Sequence, residues 1–439
     1  MILGDRYHYS DEFLKKCGDR LDEALDTVPA YRKWKKFDPG RESPVDERYD
    51  AMPVLDKAMM RRSFPNGLLP VSKDLKKALE DNVVEYSFTS GTTSEKVINI
   101  FDVNWWRSGE KASWKLNANL AELSYPQKEA ELASSLNVGI GCEEDLPASY
   151  RTLGHVLYLN EKTNLIQWQP RHYERMIREL NEYRPVILEA NPALLARLSM
   201  WALDHGEAVY SPKAILFTYE FTSAVHLNLI RRVFSSPFIS SYGTTETGYV
   251  MEQCEAGLLH QNTDFCRIDF QPLKRSLSGD SDLGRIFVTT LCNPWNYIIR
   301  FDVGDLVRLH PSTSCACGNS DGMIVDAVEG RTANLTFDTA GNPVTTKMLD
   351  DRMAELPEIR DYILRQKTDG AGASYSLEVM LDPSYTEPAP QLKEALASVY
   401  GSDGKFEITV CDTILPGPAG KFRRTGTEFP FEEKGLFES

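Results

Sequence analysis

Hydroxyl side chains crowd around a single glycine in the segment FTSGTTSEKV, residues 88–97. Such a loop can wrap a polyphosphate, because glycine lets the backbone approach closely while N–H groups and hydroxyls donate hydrogen bonds. Runs of Ser, Thr and Gly are also common in ordinary surface turns. The segment is not a Walker loop, which has a glycine before Gly-Lys-Ser/Thr. Taken alone, the segment therefore favours a surface turn.

Three further segments carry residues suited to nucleotide chemistry. SSYGTTETG, residues 240–248, combines an aromatic ring, a glycine, hydroxyls and a carboxylate. RFDVGDLVRL, residues 300–309, is expected to place Asp305 in a loop between apolar runs. PGPAGKFRR, residues 416–424, puts Lys421 after a flexible turn. Each segment also has an ordinary explanation: a core tyrosine, a solvated loop charge, a turn aspartate or an exposed lysine.

A separate set of residues has the spacing of metal ligands. Cys254 precedes His260 by six positions, and Cys315 and Cys317 flank a single residue. Together they would form a closed Cys3His set, which is typical of structural zinc. Unrelated buried cysteines are the alternative, and Cys266 or His310 could replace one ligand. We expect a structural rather than a catalytic zinc, because no coordination position stays open.

The elements that would position these residues alternate between strands and helices. PVILEA, residues 185–190, predicts a buried strand, and the following segment predicts a helix capped by Asn191 and ended by Gly206. KAILFTYE and SAVHLNLIRRVF repeat the strand and helix patterns, and PFISSYGTTETG predicts another strand that runs into a hydroxyl-rich loop. This alternation is typical of α/β proteins.

The pattern changes after Gly330. Segments 346–356 and 389–401 predict two helices, and segments 361–367, 375–382 and 405–412 predict three strands. This is a compact α+β unit that is small enough to move as one body. We therefore expect two domains, residues 1–329 and residues 330–439.

Composition narrows the function classes. The chain has 439 residues, 42% of them hydrophobic, and a net charge of -15, which favours a soluble globular protein and argues against nucleic acid as a general partner. No apolar run is long enough for a membrane helix, and the N-terminal segment lacks the features of a signal peptide. We therefore expect a cytoplasmic protein whose eight cysteines are free thiols or metal ligands.

The four hydroxyl-, glycine- and charge-bearing segments, in this order, resemble the adenylate-forming superfamily of acyl-CoA ligases. The phenylacetate–CoA ligase-like branch, which also includes deazaflavin-coenzyme synthetase-like proteins, is the most similar. VPAYRKW and MPVLDKAMM are similar to the N-terminal signature of that branch. The resemblance covers nearly the whole chain. It implies a large N-terminal domain of α/β layers, a small mobile α+β C-terminal domain, and the use of ATP and Mg²⁺.

The resemblance also assigns roles in nucleotide binding. The first loop would hold the β- and γ-phosphates through Thr89, Ser90, Gly91, Thr92 and Thr93. This family usually continues with Gly-Lys, whereas this chain has Ser-Glu-Lys, so a phosphate contact by Lys96 stays open. The adenine, ribose and α-phosphate would be bound by Glu220 in the segment FTYE, by Ser241, Tyr242, Gly243, Thr244 and Thr245, and by Asp305 and Arg331.

Catalytic roles follow from the same resemblance. Glu246 would hold Mg²⁺, Thr244 would lie beside the α-phosphate, and Lys421 would drive adenylation from the mobile domain. A carboxylate attacking an α-phosphate brings two anions together, and an ammonium group offsets their repulsion. Some members of the branch carry zinc at positions matching the Cys3His set.

The second step and the acid are less constrained. The resemblance implies that coenzyme A accepts the acyl group, with an aryl or arylacetic acid as the expected substrate. Ala333 stands where the family usually has the hinge aspartate, residues 339–345 match the pantetheine tunnel, and Trp105, Trp106 and residues 135–141 could line the acid pocket. The alternatives are an amine, a protein thiol or a deazaflavin as acceptor, or a catalytically silent nucleotide-binding homologue. The expected partners are these small molecules, with no nucleic acid or membrane, and a homodimer is compatible with them.

Overall fold

The computed structural model describes residues 6–88, 97–124, 126–274, 282–368, 373–417 and 421–438. The helices are α1 Asp11–Thr27, α2 Val45–Ala51, α3 Lys57–Ser63, α4 Leu75–Glu80, α5 Trp105–Trp114, α6 Ala118–Ala121, α7 Ser135–Val138, α8 Ala148–Arg151, α9 Pro170–Tyr183, α10 Pro192–His205, α11 Ala224–Arg231, α12 Thr346–Ala354 and α13 Gln391–Tyr400. Within these described ranges, none of the helices combines the length and apolar character needed to cross a bilayer.

The strands are β1 Val84–Phe88, β2 Ile98–Asp102, β3 Glu129–Leu132, β4 Thr152–Leu153, β5 Val156–Tyr158, β6 Ile187–Ala190, β7 Ala214–Phe217, β8 Phe238–Thr244, β9 Gly248–Gln253, β10 Leu259–Gln261, β11 Cys266–Pro272, β12 Leu283–Thr290, β13 Phe301–Leu309, β14 Ile324–Arg331, β15 Thr336–Phe337, β16 Pro343–Val344, β17 Ile359–Thr368, β18 Ala373–Leu381 and β19 Lys405–Val410. Twelve of them form one sheet in the order β11-β12-β13-β14-β10-β9-β8-β7-β6-β3-β5-β4.

Strand β8 joins two differently built halves of this sheet. Its first residues pair in parallel with β7, and its last residues pair antiparallel with β9. Strands β3, β5, β6 and β7 are also parallel, so their carboxyl ends lie at one edge. Ligands of α/β sheets bind outside the carboxyl ends of the parallel strands. The turn after β8 lies at this edge, next to the antiparallel half.

The helices predicted around the parallel strands begin or end at the predicted capping residues. The side chain of Asn191 accepts hydrogen bonds from the backbone N–H groups of Ala193 and Leu194, and Pro192 is the first residue of α10. Gly206 ends α10 with φ 67°, a left-handed conformation that glycine adopts without strain. Ser223 caps α11 in the same way. The sequence predictions for these elements are confirmed.

A second, smaller sheet of three strands follows the large one. Strands β17 and β18 pair antiparallel, β18 and β19 pair in parallel, and α12 and α13 pack on them. We call residues 332–427 the C-terminal unit. Its core includes the buried side chains of Leu349, Met353, Tyr362, Leu377 and Leu396. The α+β composition predicted for this part of the chain is therefore confirmed.

After the C-terminal unit, the chain returns to the large sheet. Thr427 still bridges to Gln366 of β17, but Phe437 bridges to Leu273, at the end of β11. Phe437 is buried in a cluster of apolar residues with Leu273, Leu283, Leu306 and Leu335. The backbone N–H of Lys274 donates to the carbonyl of Leu436 over 2.8 Å. The last described residues thus pack on the large sheet, although the sequence placed them with the small domain.

Candidate active site

Three predicted nucleotide-binding residues contact one another in the antiparallel half of the large sheet. The hydroxyl of Tyr242, in β8, donates to Asp305 Oδ2 over 2.9 Å. Arg331 Nε lies 3.3 Å from Asp305 Oδ1, because Asp305 and Arg331 are direct partners of β13 and β14. Asp305 is therefore in the middle of a strand, and the prediction of a loop is wrong. The apolar runs on both sides of it continue one buried strand, which Gly304 bends with φ 78°.

Two glycines allow the hairpin of β8 and β9 to close tightly. A Cβ atom at Gly243 would lie 2.1 Å from the carbonyl oxygen of Gly248, and one at Gly248 would lie 2.6 Å from the ring of Trp105. The side chains of Thr244 and Thr247 hydrogen-bond each other over 2.9 Å within the turn. The half-buried Thr245 lies in the same turn. This closure fixes the predicted α-phosphate segment beside Tyr242.

Ser241 and Glu246 flank this segment and face different groups. The hydroxyl of Ser241 donates to the buried Glu252 Oε2 over 2.7 Å, so its side chain is engaged inside the protein. Glu246 is also buried, and its Oε1 has no hydrogen-bond partner within the described ranges. Lys57 Nζ lies 3.5 Å from this oxygen. A buried carboxylate oxygen without a hydrogen bond is suited to a cation.

Lys57 is the functional candidate that the sequence reasoning missed. It is the first residue of α3, directly after the helix cap Asp56. Its charge acts on Lys421 as well as on Glu246. The sequence signal that could have pointed to Lys57 is the similarity of MPVLDKAMM to a family signature. Nothing in that segment distinguishes Lys57 from other lysines before the fold is known. The fold places it among the side chains around Lys421, which include Glu220, Glu246 and Asp305 and which we call the crevice.

Lys421 reaches the crevice from the C-terminal unit. The backbone N–H of the next residue, Phe422, donates to Glu220 Oε1 over 3.2 Å. Burial raises the pKa of Glu220 to about 7, and the ammonium of Lys421 partly offsets this shift. Burial likewise lowers the pKa of Lys421, while Glu220 and Asp305 favour its charged form. The structure thus brings Lys421, Glu220 and Asp305 to one crevice, although they are far apart in sequence.

The hydroxyl–glycine loop lies outside the described residues, and so do Thr89, Ser90, Gly91, Thr92, Thr93 and Lys96. The strands on either side of it are described. β1 and β2 form an antiparallel pair in which Phe88 lies opposite Ile98. The predicted role of this loop in binding phosphate stays a prediction.

The four predicted zinc ligands converge from two loops. The ligand atoms of Cys254, His260, Cys315 and Cys317 all lie within 4.8 Å of one another. The sulfur atoms of Cys254 and Cys315 are 3.7 Å apart, and Cys317 Sγ is 3.4 Å from His260 Nε2. Tetrahedral zinc, with bonds of about 2.3 Å to sulfur and 2.0–2.1 Å to nitrogen, would give edges of about 3.8 and 3.6 Å. The donor set and these two distances both fit zinc.

The two substitute ligands are engaged elsewhere. Cys266 is buried in β11 and its thiol faces the carbonyl oxygens of Val250 and Asn262. His310 pairs with Asp326. Neither belongs to the group of four residues whose ligand atoms converge, so the alternative zinc sets are not supported by the geometry.

Aromatic and acidic side chains lie behind the β8–β9 hairpin. Trp106 contacts Tyr249 edge-on, with ring centroids 5.8 Å apart, and the hydroxyl of Tyr249 donates to Glu110 over 3.4 Å. The hydroxyl of Tyr219 donates to Glu131. Burial, together with the neighbouring Glu189, raises the pKa of both Glu110 and Glu131 to about 8. This wall is more polar than an aryl acid alone would need.

The segment 135–141 follows β3, the strand that carries Glu131, and its predicted role in the acid pocket stays a prediction. Ser135 is buried in α7, and its hydroxyl donates to the carbonyl of Lys162 over 2.9 Å. Lys162 in turn pairs with Asp145 over 2.8 Å, and Arg175 pairs with Glu161 over 2.6 Å. Asp145, Glu161 and His172 form a second group of possible metal ligands. Because Lys162 and Arg175 neutralise its carboxylates, this group is a structural ion-pair network rather than a metal site.

Comparisons with solved structures identify the fold. Neither a protein-family model nor a curated protein matches the chain. It is similar to 2-hydroxyisobutyryl-CoA ligase in the postadenylation state in complex with R3-HIB-AMP, with 14% sequence identity, 95% of this chain and 90% of that chain covered, and a TM-score of 0.70. It is also similar to o-succinylbenzoate CoA synthetase from Bacillus subtilis in complex with OSB-AMP, with 16% identity, coverage of 77% and 67%, and a TM-score of 0.50.

A second solved structure of the same ligase is also similar to this chain. 2-Hydroxyisobutyryl-CoA ligase in complex with 2-HIB-AMP and CoA in the thioesterification state gives a TM-score of 0.55, at 15% identity and with 95% and 89% of the two chains covered. The TM-score is higher for the structure in the postadenylation state, 0.70 against 0.55. At these identities the likeness establishes the fold, which confirms the expected α/β architecture with a small C-terminal unit. The chain has the fold of the adenylate-forming acyl-CoA ligases.

Proposed function

We propose that this protein is an ATP-dependent ligase that converts a carboxylic acid into an acyl-CoA thioester through an acyl-AMP intermediate. The carrying observation is that Lys421, from the C-terminal unit, faces the crevice that holds Tyr242, Asp305 and Glu246. A binding protein without catalysis has no need for a buried lysine between these groups. The similar solved structures contain acyl adenylates, which supports the same reaction.

In the first step, an oxygen of the substrate carboxylate would attack the α-phosphorus of ATP, and the bond to the β-phosphate would break to release pyrophosphate. The ammonium of Lys421 would offset the repulsion between the two anions. Glu246 would hold Mg²⁺, which supplies further charge neutralisation at the phosphates when bound. Lys57 is placed to add a second cation from α3. Thr244 would orient the α-phosphate beside them.

The nucleoside would be held by the paired strands. The carboxylate of Asp305 would accept hydrogen bonds from ribose, with Arg331 alongside, and the flat ring of Tyr242 would lie on adenine. Glu220, Ser241, Gly243 and Thr245 would shape the same pocket. The loop of Thr89, Ser90, Gly91, Thr92 and Thr93 would hold the outer phosphates.

In the second step, the thiolate of CoA would attack the acyl carbon, and the bond to AMP would break. We propose that the C-terminal unit rotates between the steps, with its boundary near residue 330 and Ala333 in the pivot. Ala333 is exposed in the turn after β14, and its carbonyl accepts a hydrogen bond from Arg423. Gly341 lies in the tight turn between β15 and β16, where the pantetheine arm is expected.

We also propose that Cys254, His260, Cys315 and Cys317 bind one structural zinc ion. The first two residues lie on the β9–β10 hairpin, and the other two lie between β13 and β14. Glu246 lies in the turn directly before β9, and Asp305 lies in β13. Zinc would therefore fasten together two loops beside the nucleotide crevice, without taking part in the reaction.

The test is pyrophosphate release with a panel of carboxylic acids, with and without CoA. The panel contains aryl and arylacetic acids, together with their amino-substituted analogues, because Glu110 and Glu131 line the region behind the hairpin. Acid-dependent pyrophosphate release followed by CoA-dependent thioester formation supports the proposal. Release that continues only with an amine, a protein thiol or a deazaflavin favours the alternative acceptors. No release from any acid, with nucleotide still bound, indicates a silent homologue.

A further inference from the structure

Arg424 lies three residues after Lys421 and crosses between the two parts of the molecule. Its backbone belongs to the C-terminal unit, since its carbonyl accepts a hydrogen bond from the N–H of Leu364 in β17 over 2.7 Å. Its guanidinium lies against α11, with Nη2 2.8 Å from His226 Nε2. Asp361 completes the group, at 2.7 Å from Arg424 and 3.1 Å from His226. At most 4% of any of these three residues is exposed.

A second contact of the same interface lies at the N-terminus of α11. Asp350, from α12, is buried and accepts hydrogen bonds from the hydroxyl of Ser223 and the backbone N–H of Ala224, both over 2.6 Å. The hydroxyl of Tyr362 donates to the same carboxylate over 2.9 Å. A carboxylate at a helix N-terminus satisfies backbone N–H groups and interacts favourably with the helix dipole. Here the carboxylate comes from the other part of the molecule.

Apolar packing seals these polar contacts from water. Val225, in the first turn of α11, is buried among core residues of the C-terminal unit such as Leu349 and Met353. Buried charges are tolerated only while they are paired and hydrogen-bonded. Separation of the two parts would remove the partners of His226 and expose Asp350. The contacts therefore favour the arrangement seen here over a rotated one.

We propose that the buried group of Ser223, His226, Asp350, Asp361 and Arg424, which we call the Arg424 dock, positions Lys421 for adenylation. The inference rests on the proposed function. Only two residues separate Lys421 from Arg424, so the lysine cannot move far while the arginine is held. His226 and Asp350 are positioning residues, because they act on the reaction through the segment that carries Lys421. Rotation for the second step requires the dock to open.

The first test compares the two half-reactions in His226→Ala. The change removes the large-sheet partner of Arg424, so pyrophosphate release should fall by roughly 10–10²-fold, on the scale of one lost hydrogen bond to a charged group. The KM for ATP should stay close to the wild-type value, because Tyr242 and Asp305 are untouched. Thioester formation from pre-made acyl-AMP and CoA should be unchanged. His226→Gln, which keeps a hydrogen-bonding amide, should restore part of the first half-reaction.

Arg352→Ala is the matched control, because Arg352 is an exposed α12 residue that pairs with Glu355 at the end of the same helix. It should leave both half-reactions unchanged. Equal damage to both half-reactions in His226→Ala would mean a general loss of structure and would overturn the positioning role. If His226→Ala does not fold, Ser223→Ala, which removes one hydrogen bond to Asp350, is measured in the same way.

The second test does not depend on activity. Trypsin cleavage after Arg424 should be slow in the wild type, because Arg424 is buried, and about 10-fold faster in His226→Ala. Cleavage at the wild-type rate in a folded variant would overturn the dock. A wild type that releases no pyrophosphate with any acid would instead overturn the proposed function, and the cleavage rates would still decide whether the dock holds the segment.

Discussion

The two sides of the crevice are built in contrasting ways. Tyr242, Asp305 and Arg331 lie on strands β8, β13 and β14 of one continuous sheet and are joined by one hydrogen bond and one ion pair. Lys421 comes from a segment of the C-terminal unit and is held by contacts of its neighbours Phe422 and Arg424 with the segment after β7 and with α11. The fixed side is suited to binding the nucleotide in every state. The delivered side can act in one step and be withdrawn in the next.

Replacement of Lys421 should give the largest effect, because it removes the delivered charge while leaving the fixed side intact. Lys421→Ala should slow acyl-AMP formation by roughly 10²–10³-fold, the scale for loss of one charge-stabilising donor. Conversion of pre-made acyl-AMP and CoA into thioester should proceed at close to the normal rate. The two rates are measured separately by pyrophosphate release and thioester formation. Equal loss in both steps would show that the lysine stays in the crevice throughout.

Replacement of Asp305 tests the fixed side. Asp305→Ala removes a carboxylate that would accept two ribose hydrogen bonds, and we expect a net loss on the order of 1.5–3 kcal/mol for the pair. We expect the KM for ATP to rise by about 10–10²-fold, with a smaller change in kcat. Asp351→Ala, on the exposed face of α12 where it pairs with Lys347, is the control and should change neither value. Unchanged ATP affinity in folded Asp305→Ala would place the nucleotide elsewhere.

Loss of zinc should destabilise the fixed side of the crevice, and it should not change the position of Lys421. The purified protein should contain about one zinc ion per chain, released slowly by chelators because the site is closed. Cys315→Ser combined with Cys317→Ser should abolish zinc binding and lower the thermal midpoint, while Cys142→Ser changes neither. Metal analysis and thermal unfolding measure both outcomes. A metal-free wild type, or a double variant of unchanged stability, would contradict the zinc assignment.

A smaller effect is expected from pH. Burial raises the pKa of Glu252, beneath Ser241, to about 8, so between pH 4.5 and 8 the folded chain keeps a proton that the unfolded chain releases. Stability should therefore fall as pH rises from 6.5 to 8.5. The opposite contribution of His226, whose pKa is lowered by burial, applies below pH 6.5.

The pH effect has a matched pair of variants. Glu252→Gln should reduce the fall in thermal midpoint between pH 6.5 and 8.5, and the remaining fall is expected from Glu110 and Glu131, whose pKa values are also raised to about 8. Glu161→Gln should lower the midpoint at both values, because Glu161 is ionised and paired with Arg175. A midpoint that rises with pH in the wild type would contradict the assignment of a protonated Glu252.

Local signals carried most of the sequence predictions. The caps Asn191 and Ser223 and the glycine at position 206 fix helix ends through neighbouring atoms, so those elements were predictable. The Cys3His convergence was also predictable, because cysteine spacing reflects ligand chemistry. Asp305 was misplaced because a Gly-Asp pair is typical of turns, and only the strands on both sides of β13 keep it extended.

Nonlocal contacts could not be predicted in this way. Lys57 and Glu246 are far apart in sequence, and their distance depends on how α3 packs beside the β8–β9 turn. The same holds for Arg424, which ends the segment PGPAGKFRR, because nothing in the sequence pairs it with His226 or Asp361. Their function depends on burial and pairing, which a sequence pattern does not encode.

The return of the chain to the large sheet limits how the C-terminal unit can turn. The unit is attached at both ends, through β14 on one side and through the segment between Thr427 and Phe437 on the other. Ten residue steps can span at most roughly 33–36 Å when fully extended. The unit therefore turns between two attachment points rather than about a single hinge. The segment between Thr427 and Phe437 limits the range of its rotation unless Phe437 leaves its cluster of apolar residues.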